Sequence, residues 1–245
     1  MSNEAYECLT RYLATSQNNI IHFYGEGVAA RNFAEIIPNA TIHLLDAPDI
    51  LLCKNDEAII VEHFRFDSYH RRRKGGSPSV REMERIRQES KRFHDAHKGA
   101  MFHDSIDAPS SYADYLNNVR SAFTKHRSQI PAYRDNLIRK GLIKDTDRPK
   151  VLLLIEDINP LGNLAVERSK GRRVHTIVLA HCRPFLDLLK DSVEVDYVLA
   201  CSSTDTEKFA WFIDRKELDE YYLHTQDYEN MDYVDFTPQV TSFVL

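Results

Sequence analysis

Two carboxylates have the setting that metal-assisted chemistry needs. Asp49 follows Pro48, and after twelve intervening residues Glu62 lies inside the apolar run Ala58-Ile59-Ile60-Val61-Glu62-His63-Phe64. Brought together on adjacent strands, they offer hard oxygen ligands of the kind Mg²⁺ or Mn²⁺ takes. A carboxylate flanked by Ile60, Val61 and Phe64 is costly to bury without a partner or an ion. The chemistry such a pair supports is phosphodiester hydrolysis of the nuclease kind.

The segments around the pair are of the type that would position it. Residues 41–45, 49–54 and 57–66 read as three short strands, and the brief polar turn Asn55-Asp56 makes the last two an antiparallel hairpin. Helical spacing predicts helices over 4–15 and 28–37, the second stopped by Pro38-Asn39, and residues 18–24 read as extended. Downstream, 79–98 reads as a charged helix with a Ser79 cap and Glu82 three residues on. Residues 110–141 read as two helices separated near Pro131 and stopped at Gly141. The apolar run 151–155 predicts a strand buried on both faces. Further strands are expected at 176–180, 196–201 and 209–213, with a helix over 184–190. The fold class is therefore α/β: a mixed central sheet with flanking helices, one domain carrying a helical insertion over about 79–147.

Composition sets outer bounds. The 245 residues are 42% hydrophobic and 28% charged, enough to bury a sizeable core. No apolar run approaches the roughly 20 residues of a membrane span, and the start lacks a signal-peptide layout, so a cytoplasmic location is expected. Cys8, Cys53, Cys182 and Cys201 are too scattered for a Cys-x-x-Cys motif and read as buried thiols. The net charge of −5 hides an uneven distribution. Arg71, Arg72, Arg73, Lys74, Arg81 and Arg85 fall in a basic stretch that suits a polyanion, nucleic acid and in particular DNA, whereas no Lys or Arg follows Lys216. A charge run is also the usual mark of a solvated face. The acidic, Tyr-rich stretch 221–236 is a candidate surface for a protein partner or a second copy.

Helix, strand, Pro-Asp strand, then a strand bearing Glu: over residues 28–67 this resembles the core of the PD-(D/E)xK, or restriction-endonuclease-like, nuclease superfamily. The resemblance implies that Asp49 and Glu62, with the backbone carbonyl of His63, hold the metal, and that a helix acid, Glu35 or Glu26, assists. It also implies a Lys two residues after the Glu. That position is Phe64, which can neither orient a water nor neutralise charge. Lys74 is the expected substitute; the alternative is a catalytically degenerate member that binds nucleic acid or protein. The blocks 61–67, 74–77 and 155–162 are similar to uncharacterised bacterial mobile-element proteins, a resemblance that names no established activity; for a nuclease of this superfamily, phage or mobile-element defence is the expected setting. Glu156 and Asp157, ending a buried strand, are expected near the same cleft.

A further reading uses histidines. His94, His97 and His103-Asp104, with His63 and His70, offer ligands for a His/Asp metal phosphohydrolase, although no second His-Asp pair has a recognisable spacing.

Overall fold

The strands expected from the apolar runs lie side by side in a computed structural model, which describes residues 4–14, 21–55, 57–70, 78–105, 109–159, 163–168, 173–203, 208–234 and 239–243. The chain opens with α1 (Glu4–Ala14), β1 (Ile21–His22) and α2 (Val28–Ile36), the last running into a 3-10 turn at Ile37–Asn39. Strands β2 (Thr41–Leu44), β3 (Ile50–Lys54) and β4 (Glu57–Phe66) follow, then α3 (Pro78–Ala96), β5 (Met101–Ser105) and α4 (Tyr112–Arg139). Next come β6 (Lys150–Asp157), β7 (Leu164–Glu167), β8 (Arg173–Thr176), α5 (Arg183–Lys190), β9 (Tyr197–Ser203) and β10 (Lys208–Asp214). Helix α6 (Leu218–Tyr222) and strands β11 (Asp232–Val234) and β12 (Gln239–Phe243) complete the order.

Seven strands form one mixed sheet in the order β1-β10-β9-β6-β4-β3-β2. Its centre is parallel, β4 beside β6 beside β9; β3 and β4 form the antiparallel hairpin expected from the sequence, and β2 adds to it antiparallel beside β3. Asn55 takes a left-handed φ of 54° between β3 and β4, a conformation Asn adopts at little cost. Central position explains β6: from Val151 to Ile155 it is buried on both faces.

The pleat of β4 sets up everything that follows. Ile60, Glu62, Phe64 and Phe66 point to one face, under α4 and α5, and Ile59, Val61 and His63 to the other, under α1 and α2. Two apolar cores result, one on each side of the sheet.

Several segments differ from expectation. Helix α4 runs unbroken through Pro131. A proline inside a helix costs about 3 kcal/mol, but burying Ile130, Tyr133 and Leu137 along the same stripe outweighs it. Ser111 caps the start by accepting from the Asp114 N–H, and Gly141 (φ 67°) turns the chain at the other end. Of the segment expected as an insertion, α4 belongs to the main core, contributing Tyr115, Val119, Phe123 and Leu137, and β5 is an unexpected strand paired with β12. Helix α3 begins at Pro78, which places Ser79 within the first turn rather than at the cap. Residues 179–181 form a 3-10 turn where a strand was expected. Tyr221 and Tyr228, expected in an acidic tail surface, are fully buried, their hydroxyls donating to the Phe212 and Thr176 carbonyls. Among the described residues, no helix is long and apolar enough to cross a membrane.

Candidate functional site

Asp49 and Glu62 meet because β3 and β4 pair in register, Ile50 opposite Val61, which sets the preceding Asp49 beside Glu62. Asp49 Oδ2 accepts from the His63 N–H at 2.8 Å, and the Asp49 N–H donates to Glu62 Oε2 at 3.4 Å. Burial raises the Asp49 carboxyl above its usual range, the His63 N–H opposes that, and the neighbouring Glu62 charge adds to the rise.

Helix α4 closes the site from above. Glu62 Oε1 accepts from the Tyr133 hydroxyl at 2.5 Å and lies 2.8 Å from His126 Nδ1. The Tyr133 hydroxyl, raised above its ordinary range first by burial and then by Glu62, stays protonated and remains a donor. The His126 ring stacks on Phe64 with centroids 4.9 Å apart, so the position where the superfamily's Lys was sought carries an aromatic platform with an imidazole over it. Asn136 donates to the Ala47 carbonyl at 2.5 Å, tying α4 to the chain just before the cis Ala47–Pro48 bond. The Glu62 side chain is 8% exposed and that of His126 20%, so the pair borders solvent at the imidazole.

His126 and Tyr133 were absent from the sequence reading, yet they leave a trace in it. Val119, Phe123, His126, Ile130, Tyr133 and Leu137 fall at spacings of four and three, the core stripe of a helix. A His within such a stripe signals a buried polar partner.

His63 does not join Asp49 and Glu62 through its side chain. Its ring passes to the opposite face, where Nε2 lies 3.4 Å from Glu156 Oε2 and Cys8 of α1 is adjacent. Arg11 holds Glu156 Oε1 at 3.1 Å and Arg65 holds Oε2 at 2.8 Å. Burial favours a neutral Glu156, but His63 and Arg65 outweigh it and lower the carboxyl to about 2. Cys201 of β9 and then His63 lower the Cys8 thiol to about 6 against the cost of burial. Among the described residues, Cys8, His63 and Glu156 are the one group of three or more His, Cys, Asp or Glu whose ligand atoms all lie within 4.8 Å of one another.

The remaining candidates are dispersed. Asp157 shares the α4 face but sits at the level of Phe66, beyond Glu62, in a buried network. Asn159 and Asn163 donate to its carboxylate, and burial nonetheless pushes it up to about 7. Glu156 and Asp157 thus face opposite ways and neither reaches the Asp49 pair. Glu35 is exposed on α2, across the sheet, and Glu26 is exposed before that helix. Arg71, Arg72, Arg73 and Lys74 lie outside the described residues. Arg81 is exposed on α3, whereas Arg85 is held by Glu82, Glu89 and Asp104 and is committed within the fold. Histidines 94, 97 and 103 form no metal-ligand group among the described residues; His94 and His97 lie against Phe93, and His70 pairs with Asp114 at 3.0 Å. A groove of about 540 Å³ lined by Phe33, Glu57, Lys150 and Tyr197 includes neither Asp49 nor Glu62.

Scans of this chain against protein-family models, curated proteins and solved structures each returned no match.

Proposed function

We propose that this protein is a metal-dependent nuclease that hydrolyses phosphodiester bonds in nucleic acid, DNA in the first instance, through Mg²⁺ or Mn²⁺ held by Asp49 and Glu62. The carrying observation is the adjacency of the two carboxylates at the β3–β4 pair with His126 delivered over Phe64. The succession α2, β2, β3 with its Pro-Asp start, and β4 with its Glu supports the resemblance to the PD-(D/E)xK core.

The residues fit such an ion. Two partly buried carboxylates side by side, one raised in part by the charge of the other, are a pair that a cation relieves, and Mg²⁺ is commonly bound by one or two carboxylates plus water and phosphate. A bound divalent ion supplies charge to the phosphate and lowers the pKa of water. Tyr133 fixes the Glu62 carboxylate by donating to Oε1. His126, with Nδ1–H directed at the same oxygen, keeps Nε2 free to accept a proton, so it takes up the proton of an attacking water in place of the absent Lys. Arg81 is available for phosphate backbone on the exposed side of α3.

The test is cleavage of labelled single- and double-stranded DNA and RNA in Mg²⁺ or Mn²⁺ by the native protein, Asp49→Ala, Glu62→Ala and His126→Ala. Cleavage abolished by both carboxylate substitutions supports the reading; cleavage indifferent to them sinks it. One observation favours a second reading, a degenerate fold that binds nucleic acid without cutting it: Glu62 Oε1 already has two protein partners. That reading expects no cleavage in any metal, with binding of labelled DNA unaffected by EDTA.

A further inference from the structure

We infer that Cys8, His63 and Glu156 form a second metal site, for a borderline-soft ion of the Zn²⁺ class, on the face of the sheet opposite Asp49 and Glu62. The proposal is independent of the nuclease reading and shares none of its ligating side chains. Three kinds of donor converge from three elements: a thiol from α1, an imidazole from β4 and a carboxylate from β6. One ligand atom from each lies within 4.8 Å of the other two. Thiolate, imidazole and carboxylate together are a donor set that Zn²⁺ accepts and that Mg²⁺ does not select.

The His63–Glu156 geometry argues for an ion between the groups rather than a simple pair. Nε2 is 3.4 Å from Oε2, yet it is buried without a directed hydrogen bond, in a side chain only 7% exposed. Buried polar nitrogens are seldom left in that state. Two ligands at about 2.0–2.1 Å from a tetrahedral ion stand about 3.3 Å apart, so the observed separation is what a shared ion requires with little movement. The surroundings also resemble the outer partners of a metal site. Arg11 and Arg65 orient the Glu156 carboxylate from its two oxygens. A carboxylate oxygen accepts from more than one direction, so Oε2 can serve Arg65 and an ion together. Water completes the fourth position; the imidazole, which Cys8 and Glu156 hold protonated against the cost of burial, gives up its ring proton to solvent on binding, together with any proton left on the Cys8 thiol.

The deciding experiment loads the chelator-treated protein with Co²⁺ and then Zn²⁺. We expect one equivalent of Co²⁺ to give a near-ultraviolet thiolate-to-cobalt charge-transfer band that Zn²⁺ displaces and excess Mg²⁺ does not. Cys8→Ser removes the band and weakens Zn²⁺ binding by more than about 100-fold, beyond what loss of an outer partner costs, whereas Asp49→Ala leaves both intact. X-ray absorption of the Zn²⁺-loaded native protein needs no variant: one sulfur with nitrogen and oxygen neighbours is expected. Absence of a thiolate band, its survival in Cys8→Ser, or a zinc shell without sulfur overturns the site.

Discussion

If Tyr133 holds Glu62 in place for metal, removing its hydroxyl has a cost that depends on Glu62 being there. The 2.5 Å bond joins a buried phenol to a carboxylate whose side chain is 8% exposed. Hydrogen bonds to charged groups contribute about 1.5–3 kcal/mol, and His126 remains as a second donor to the same oxygen, so Tyr133→Phe should cost about 2 kcal/mol. In a Glu62→Leu background the hydroxyl has lost its acceptor, and the same Tyr133→Phe change should be neutral or stabilising by up to about 1 kcal/mol. The predicted coupling is therefore about 2–3 kcal/mol, measured by urea unfolding of the four proteins at neutral pH with EDTA. Nuclease assays carry the second half of the prediction: Tyr133→Phe raises the Mg²⁺ concentration for half-maximal cleavage by about 10-fold or more, as loss of a ligand-orienting partner does, and lowers the rate at saturating metal much less. An unfolding cost under about 0.5 kcal/mol, or an equal cost in both backgrounds, would refute the reasoning that these two groups act as a pair.

Three further outcomes follow from the same geometry. His126→Ala should lower cleavage by about 10²–10⁴-fold, the range for a lost general base; an unchanged cleavage rate would remove His126 from the proton transfer. Glu156, lowered to about 2, stabilises the fold above its unfolded value near 4.5 and loses that contribution as pH falls from there towards 2; Glu156→Gln should cost about 3–5 kcal/mol at pH 7 and shrink the difference from native at pH 2, read by unfolding at the two pH values. His181, lowered to about 4 by burial and bonded to the Tyr24 hydroxyl at 2.8 Å, works in the window between about 6.5 and 4. Its stabilisation is present above pH 6.5 and disappears as pH falls to 4, so His181→Gln should lose about 1–3 kcal/mol less than native protein over that interval, and parallel curves for the two proteins would contradict it.

The parts of this fold legible in the sequence are those fixed by local pattern. The β3–β4 hairpin could be read because a two-residue polar turn joins two apolar runs, and that alone brings Asp49 beside Glu62. Buried β6 was visible as a continuous apolar run, and β9, β10 and α5 were found near their observed bounds. Pro131 misled, because the helix penalty of one proline is smaller than the burial of the stripe it interrupts. His126 was missed for a different reason: its bond to Glu62 joins residues 64 apart, and no local pattern encodes which helix packs on which strand.

Residues adjacent in the chain are parted here by one physical cause, the period of two along a strand. Glu62 and His63 are adjacent in the chain, as are Glu156 and Asp157, and each pair is split by the pleat, one member to each face. The parallel register then reassembles them differently: Arg65 lies opposite Glu156, which brings His63, two residues back on the same face, against that carboxylate. Strand β4 thereby carries a hard-oxygen group under α4 and a thiol-imidazole-carboxylate group under α1, separated by the thickness of the sheet and joined by one backbone, since the His63 N–H that holds Asp49 belongs to the residue whose ring meets Glu156. Side-chain substitutions at 62 and 63 should therefore separate the two sites cleanly, while any change that shifts the β4 register disturbs both together.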